Sequence, residues 1–139
     1  MLVRLIYASR AAGAMNTELL DSILRSSRQN NPAIGITGVL CYSGGTFVQV
    51  LEGSRAAVSS LYNIIGRDPR HGQVELLHFA EINERRFSDW TMGQVNLAKV
   101  NAALLLKYSA RAEFTPFEMS GDAVLRLLED LIDTAAIGK

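Results

Sequence analysis

The sequence is poor in residues that anchor covalent or metal chemistry. It has one cysteine, Cys41, set in an apolar run. An intrachain disulfide is therefore excluded, no Cys/His cluster has metal-ligand spacing, and Cys41 reads as a small buried hydrophobe. The two histidines, His71 and His78, stand apart from any such spacing. There is no GxSxG nucleophile motif. Gly35-Ile36-Thr37-Gly38 lacks the lysine and the strand-to-helix setting of a phosphate loop, and its glycines are expected to permit close helix–strand approach. Charge of either sign is not in excess: Lys plus Arg and Asp plus Glu each total 14. Neither nucleic-acid nor membrane-surface binding is indicated. No apolar run approaches the ~20 residues of a membrane-spanning helix, and Arg4 interrupts the first residues too early for a secretory signal. These absences point to a cytoplasmic protein. A neutral surface does little to oppose self-association, so a homo-oligomer is expected.

What is present suits one packed domain. Hydrophobic residues make up 48% of 139, and a chain of about 150 residues buries roughly 70% of its unfolded surface. Residues 2–9 alternate two apolar faces, Val3, Leu5, Tyr7 and Ser9 against Leu2, Arg4, Ile6 and Ala8, as in a strand covered on both sides. A helix is expected from an N-cap at Asn16 to about Gln29, with a stripe of Leu20, Leu24, Ser27 and Asn31 and with Ile23 beside it. That stripe turns polar at its end, as one does that reaches the surface or meets a ligand. Pro32 closes the helix. Strands are expected over 34–42 and 46–52, joined by Ser43-Gly44-Gly45, with Phe47, Gln49 and Leu51 on one face. Ser54 caps a second helix with a stripe of Val58, Leu61 and Ile65. A charged loop over 66–72 precedes strands over 73–82 and 90–95, the last with Trp90 and Met92 on one face.

The order βαββαββ predicts an α+β, ferredoxin-like sheet with the third strand between the first and second and two helices on one face. Residues 101–108 and 120–135 form further helices, the latter striped by Val124, Leu127, Leu128 and Leu131. These are expected to cover the other face, marked by Leu2, Ile6, Val48 and Val50. The chain thus divides into a unit over 1–97 and a C-terminal helical extension over 98–139.

One polar constellation invites a functional reading. Tyr7, Gln49 and Asn31 fall on neighbouring elements, and each sits among apolar residues. A buried polar group left unpaired costs about 1–3 kcal/mol. Pattern alone leaves two readings: Tyr7 and Gln49 bond each other in the core, or the set meets a ligand.

At these residues the sequence resembles the BLUF family, blue-light sensors using flavin. The motifs are Tyr7-Ala8-Ser9; Asn31 ahead of Ile36-Thr37-Gly38; Phe47-Val48-Gln49-Val50-Leu51-Glu52-Gly53; Asp68-Pro69-Arg70-His71; and Arg85-Arg86-Phe87 followed by Trp90 and Met92. They stand in the family's order and spacing over about residues 2–97. The resemblance implies FAD, with FMN or riboflavin as alternatives, its ring inserted between the two helices over the sheet. It implies that Tyr7 is the electron and proton donor and that Gln49 bridges Tyr7 and the flavin N5/O4 edge. Asn31 is assigned to the O4/N3 edge, with Asn30 as a second candidate. Ser9 and Trp90 tune the Gln49 environment, and Met92 joins Tyr7, Gln49 and Trp90 in the photoactive set. Ile23 and Ile65 pack the ring faces, and Ser27 belongs to the binding set. Arg70, with Asp68 and His71, lies near the ribityl-phosphate chain; the alternative reading of Arg70 is an exposed loop charge. The implied activity is sensing without net catalysis, passed to an unidentified downstream signalling protein or through self-association. The rival readings are a light-insensitive ferredoxin-like hydrolase, for which the loop at Arg10-Ala11-Ala12-Gly13 is too sparse an anion cradle, and a flavin-free interaction module.

Overall fold

Two-residue alternation builds the centre of the molecule. In the computed structural model, which describes residues 1–13 and 17–133, the first strand, β1 (Leu2–Ala11), and the third, β3 (Thr46–Ser54), lie antiparallel with Tyr7 opposite Gln49. The second strand, β2 (Thr37–Ser43), pairs with the outer side of β3, β4 (His71–Ile82) pairs with β1, and β5 (Gly93–Asn96) runs parallel to β2. The order β4-β1-β3-β2-β5 puts the third strand between the first and second, as expected for the split ferredoxin-like arrangement.

Each face is covered by its own helices. The first face carries Val3, Leu5, Tyr7, Leu40, Phe47 and Leu51, packed by α1 (Thr17–Asn30) and α2 (Arg55–Ile65) through Leu24, Ile23, Val58 and Leu61. The second carries Ile6, Ala8, Val39, Cys41, Val48 and Val50. It is sealed by Leu105 of α3 (Ala102–Tyr108) and by Val124, Leu127, Leu128 and Leu131 of α4 (Gly121–Asp133). Ser54 caps α2 by accepting from the Ala57 amide at 3.1 Å. The N-cap expected at Asn16 lies outside the described residues, as does the end of the C-terminal helix expected to reach 135.

Several boundaries differ from expectation, each for a local reason. Residues 34–36 are not strand: Pro32–Ile34 is a 3-10 turn closed by Gly35 at φ 70°, and β2 starts only at Thr37. The glycines there do not serve helix–strand packing. A Cβ at position 38 would come within 1.8 Å of the Val50 carbonyl oxygen, so Gly38 permits close strand–strand approach. His71 and Gly72 belong to β4 rather than to the preceding loop. Leu2 is only half-buried.

The largest correction concerns Trp90 and Met92. The chain is not yet extended there; β5 begins at Gly93. Trp90 packs in the second-face core beside Phe87, whereas Met92 packs in the first-face core. Two-residue alternation fails because the segment crosses the sheet plane.

Glu52, in the same run as Gln49, has a structural role. Its carboxylate is fully buried and accepts from Arg4 Nε at 2.8 Å and from the Phe87 amide at 2.7 Å. Arg85 adds bonds to Thr37 Oγ1 and to the Glu52 carbonyl. A buried carboxylate with this many donors is compensated for its lost hydration. It fastens the segment that leads to Trp90 and Met92.

Candidate functional site

The first face is not completely filled. A cleft of about 210 Å³, open at its mouth, lies between α1 and α2 over the centre of the sheet. Its floor is Tyr7, Leu40, Phe47 and Gln49; its walls include Ile23 of α1 and Leu61 and Ile65 of α2. The sheet supplies the polar floor because β1 and β3 place Tyr7 and Gln49 directly opposite each other.

Tyr7 and Gln49 are both buried, and Tyr7 Oη donates to Gln49 Oε1. The other end of the amide, Nε2, lies 3.4 Å from Met92 Sδ. Gln49 therefore bridges a phenol and a thioether, which is a weak acceptor. Burial, first, and then the nearby Asp68 and Tyr62 push the Tyr7 phenol well above its ordinary range, against a smaller opposing effect of Arg70.

Asn31 sits just beyond the end of α1, 2% exposed, and its Nδ2 has no hydrogen-bond partner among the described residues. A buried amide nitrogen without a partner costs about 1–3 kcal/mol, so its presence on the cleft wall signals an absent acceptor. Asn30 also lines the cleft but is exposed.

The mouth is electrostatically organised. Arg70 clasps Asp68 through Nε and Nη2, at 3.0 and 2.6 Å, and reaches Ser22 and Ser26 of α1 through Nη1, at 2.9 and 3.3 Å. Its guanidinium hydrogen bonds hold the Asp68 carboxyl below the ordinary carboxylate range. Arg70 is thus a part-buried strap from the α2–β4 loop to α1, not an exposed loop charge. His71 lies under the same mouth. Its Nε2 is 2.9 Å from the Ile65 carbonyl, which can only accept, so Nε2 carries the proton and Nδ1 accepts from Ser9 Oγ at 2.7 Å.

Of the residues expected at a site, Tyr7, Ile23, Ser27, Asn30, Asn31, Gln49, Ile65, Asp68, Arg70 and His71 line this one cleft. Ser9 stands behind His71, Met92 behind Gln49, and Trp90 lies on the other side of the sheet with its Nε1 buried and unpartnered among the described residues. Ser26, Leu40, Phe47, Leu61 and Ile64 also line the cleft but were not expected there. The alternation that marked Gln49 also marks Phe47. The i, i+4 spacing of Ser22 and Ser26 marks a shared helix face.

Together, the split sheet and a partly apolar cleft with converging amides define a cofactor-binding α+β domain. Residues 2–93 match the BLUF family model, sensors of blue-light using FAD, and the chain belongs to that family. It is a blue-light sensor domain. The cleft suits the cofactor: apolar walls for a planar ring, and the free Asn31 amide for a ring acceptor. The chain is similar to BlsA in its photo-activated state, at TM-score 0.81 and 31% identity over 95% of each chain. It is also similar to the dark-state structure of BlrB, a BLUF protein, at 0.79 and 34% over 96% of each. It is 41% identical over 92 residues to photoactivated adenylate cyclase subunit beta of Euglena longa, a match covering 66% of this chain and 11% of that protein. The chain therefore corresponds to a small part of the curated cyclase relatives. No helix among the described residues is long and apolar enough to cross a membrane.

Proposed function

We propose that this chain signals blue light by reorienting the Gln49 amide beneath an FAD held between α1 and α2. The observation that carries the reading is the chain Tyr7–Gln49–Met92, its first two members in the floor of a cleft whose wall bears the Asn31 amide, unpartnered among the described residues. Ile23 and Ile65 would pack the ring's faces. Asn31, with Asn30 nearer the surface, would bond its polar edge, and Ser27, Asp68, Arg70 and His71 would hold the ribityl-phosphate side. When bound, the flavin supplies blue absorption and, once excited, a strong oxidant.

The protein's own part is a proton and an amide. Tyr7 keeps its proton at Oη across the ordinary pH range, because burial opposes the phenolate. That proton is directed at Gln49 Oε1. Turning the amide over would present Nε2 to Tyr7 Oη, which would then accept, and would aim Oε1 at Met92, whose thioether has no proton to give. Both starting bonds are given up in that turn, so the turned amide needs the polar edge of the bound flavin as a new partner, and the flavin is what makes the element bistable in this reading. Tyr7 and Gln49 return to their starting bonds, which makes the role sensory and not enzymatic.

Residues 1–97 form the sensing unit in this reading, and 98–139 pass the signal on. Met92 is followed directly by β5, which leads into the helices of the second face. The recipient is a downstream signalling protein or a second copy of the chain, in the cytoplasm. The balance of 14 basic and 14 acidic residues favours self-association. An absorption spectrum of the FAD-reconstituted protein, dark and then blue-lit, tests the reading. The expected result is a small red shift of the visible band that reverses in darkness. A colourless product or a stable bleached adduct contradicts it; Cys41, the one thiol, lies in the second-face core away from the cleft.

A further inference from the structure

Arg28, in the last turn of α1, spends its guanidinium in an unusual way. Nε and Nη2 both donate to the Met92 carbonyl, at 3.3 and 3.1 Å. Among the described residues it has no carboxylate partner within salt-bridge distance. The residue it grips is the one whose Sδ receives Gln49 Nε2. The gripped segment is otherwise lightly tied: Trp90 accepts from the Gly38 amide at 3.0 Å and donates to the Phe87 carbonyl at 3.2 Å. Within it the chain crosses the sheet plane, with Trp90 on one face and Met92 on the other.

We propose that Arg28 is a positioning residue, a latch from α1 that sets where Met92 stands against Gln49 and how firmly the Trp90–Met92 crossing is held. A forked, charged donor on one carbonyl fixes the backbone's height and rotation, which a single point donor does less well. The latch also joins the helix that walls the cleft to the strand that leaves it, so any shift of α1 is felt at Met92. As a switch component Arg28 rests on the proposed Gln49 mechanism; as a backbone latch it does not.

Trp90 is the single tryptophan and serves as a built-in probe. In the flavin-free protein, Arg28→Ala should raise acrylamide quenching of Trp90 by about threefold or more, the scale of losing charge-assisted hydrogen bonds at a partly exposed site. Arg25→Ala, an exposed arginine one turn earlier on the same helix, should leave quenching unchanged. Arg28→Lys keeps the charge near the helix C-terminus but loses the fork, and should fall between them. This separates the latch from a mere helix-dipole effect, which lysine would restore in full. In the flavin-loaded protein the thermal return to the dark state should change at least about threefold in Arg28→Ala and not in Arg25→Ala. Trp90 quenching in Arg28→Ala equal to that in Arg25→Ala, or full restoration by lysine, overturns the latch. A wild type without any light shift but with the expected quenching series sinks the switch reading and leaves the latch standing.

Discussion

On the α3/α4 side of the sheet, aliphatic and aromatic side chains form the core; on the α1/α2 side the same sheet leaves a cleft and points an amide and a phenol into it. Val124, Leu127, Leu128 and Leu131 are each at most 1% exposed and bury a surface of Ile6, Val39, Val48 and Val50. Full burial of one such side chain contributes about 1.5–3 kcal/mol. The opposite face spends some of that gain: Gln49 and Asn31 are as buried as the leucines, yet Asn31 keeps an unpartnered nitrogen. Unpartnered buried nitrogens occur on both faces, Trp90 Nε1 and His78 Nε2 on the α4 side and Asn31 Nδ2 on the other, but of these Asn31 lines the cleft between α1 and α2. The α4 side, the dry face, contributes stability through its leucines, and the cleft side keeps room for a ligand.

If this division is right, substitutions on the two faces should separate stability from sensing. Leu128→Ala, on the dry face, should lower the unfolding free energy by about 2–5 kcal/mol, measured by urea titration. The light-induced shift of the surviving folded protein should be unchanged; its loss would mean that the faces are not separable. Asn31→Ala should weaken FAD binding by roughly tenfold, the scale of about 1–3 kcal/mol for a flavin acceptor left unpaired. Its effect on folding stability should be small, because the amide nitrogen has no partner to lose. Fluorescence titration with FAD reads the first quantity and denaturant the second.

The smallest effect concerns pH and the seat of α4. His78 lies opposite Ile6 on the second face, and its Nε2 is buried without a partner among the described residues. Gly121 presses against it; a Cβ there would come within 2.9 Å of His78 Cβ. Burial holds this imidazole below the ordinary histidine range, with Arg4 acting in the same sense and Asp122 against it. The native state thus binds fewer protons here than the unfolded chain. The associated stability is present above the ordinary value of about 6.5 and is lost as pH falls through it toward the depressed one. The thermal midpoint should fall between pH 7.5 and 5.5 by more in the wild type than in His78→Gln. Equal slopes would remove His78 from the account.

The two-face pattern was legible in the sequence because β1 and β3 are long and each position alternates between cores. Tyr7, Gln49 and Phe47 could be assigned to one face on that basis alone. The Trp90–Met92 relation was not legible: alternation holds only within a strand, and nothing local marks Gly93 as its first residue. Gly35 similarly hid a left-handed closure inside an apolar run that read as strand. The strap from Arg70 to Ser22 and Ser26 and the grip of Arg28 on Met92 join positions more than 40 residues apart. Only the packed fold brings such side chains together. The motifs were more informative than periodicity about the cleft, since they marked polar residues that a core would not otherwise tolerate.

The most direct test is the light-minus-dark spectrum of Tyr7→Phe beside the wild type, both loaded with FAD. The substitution keeps the ring and its packing against Tyr62, 5.8 Å away, but removes the proton aimed at Gln49 Oε1. The account predicts that flavin stays bound and that the reversible red shift disappears. A variant that keeps the shift at ordinary yield would contradict it.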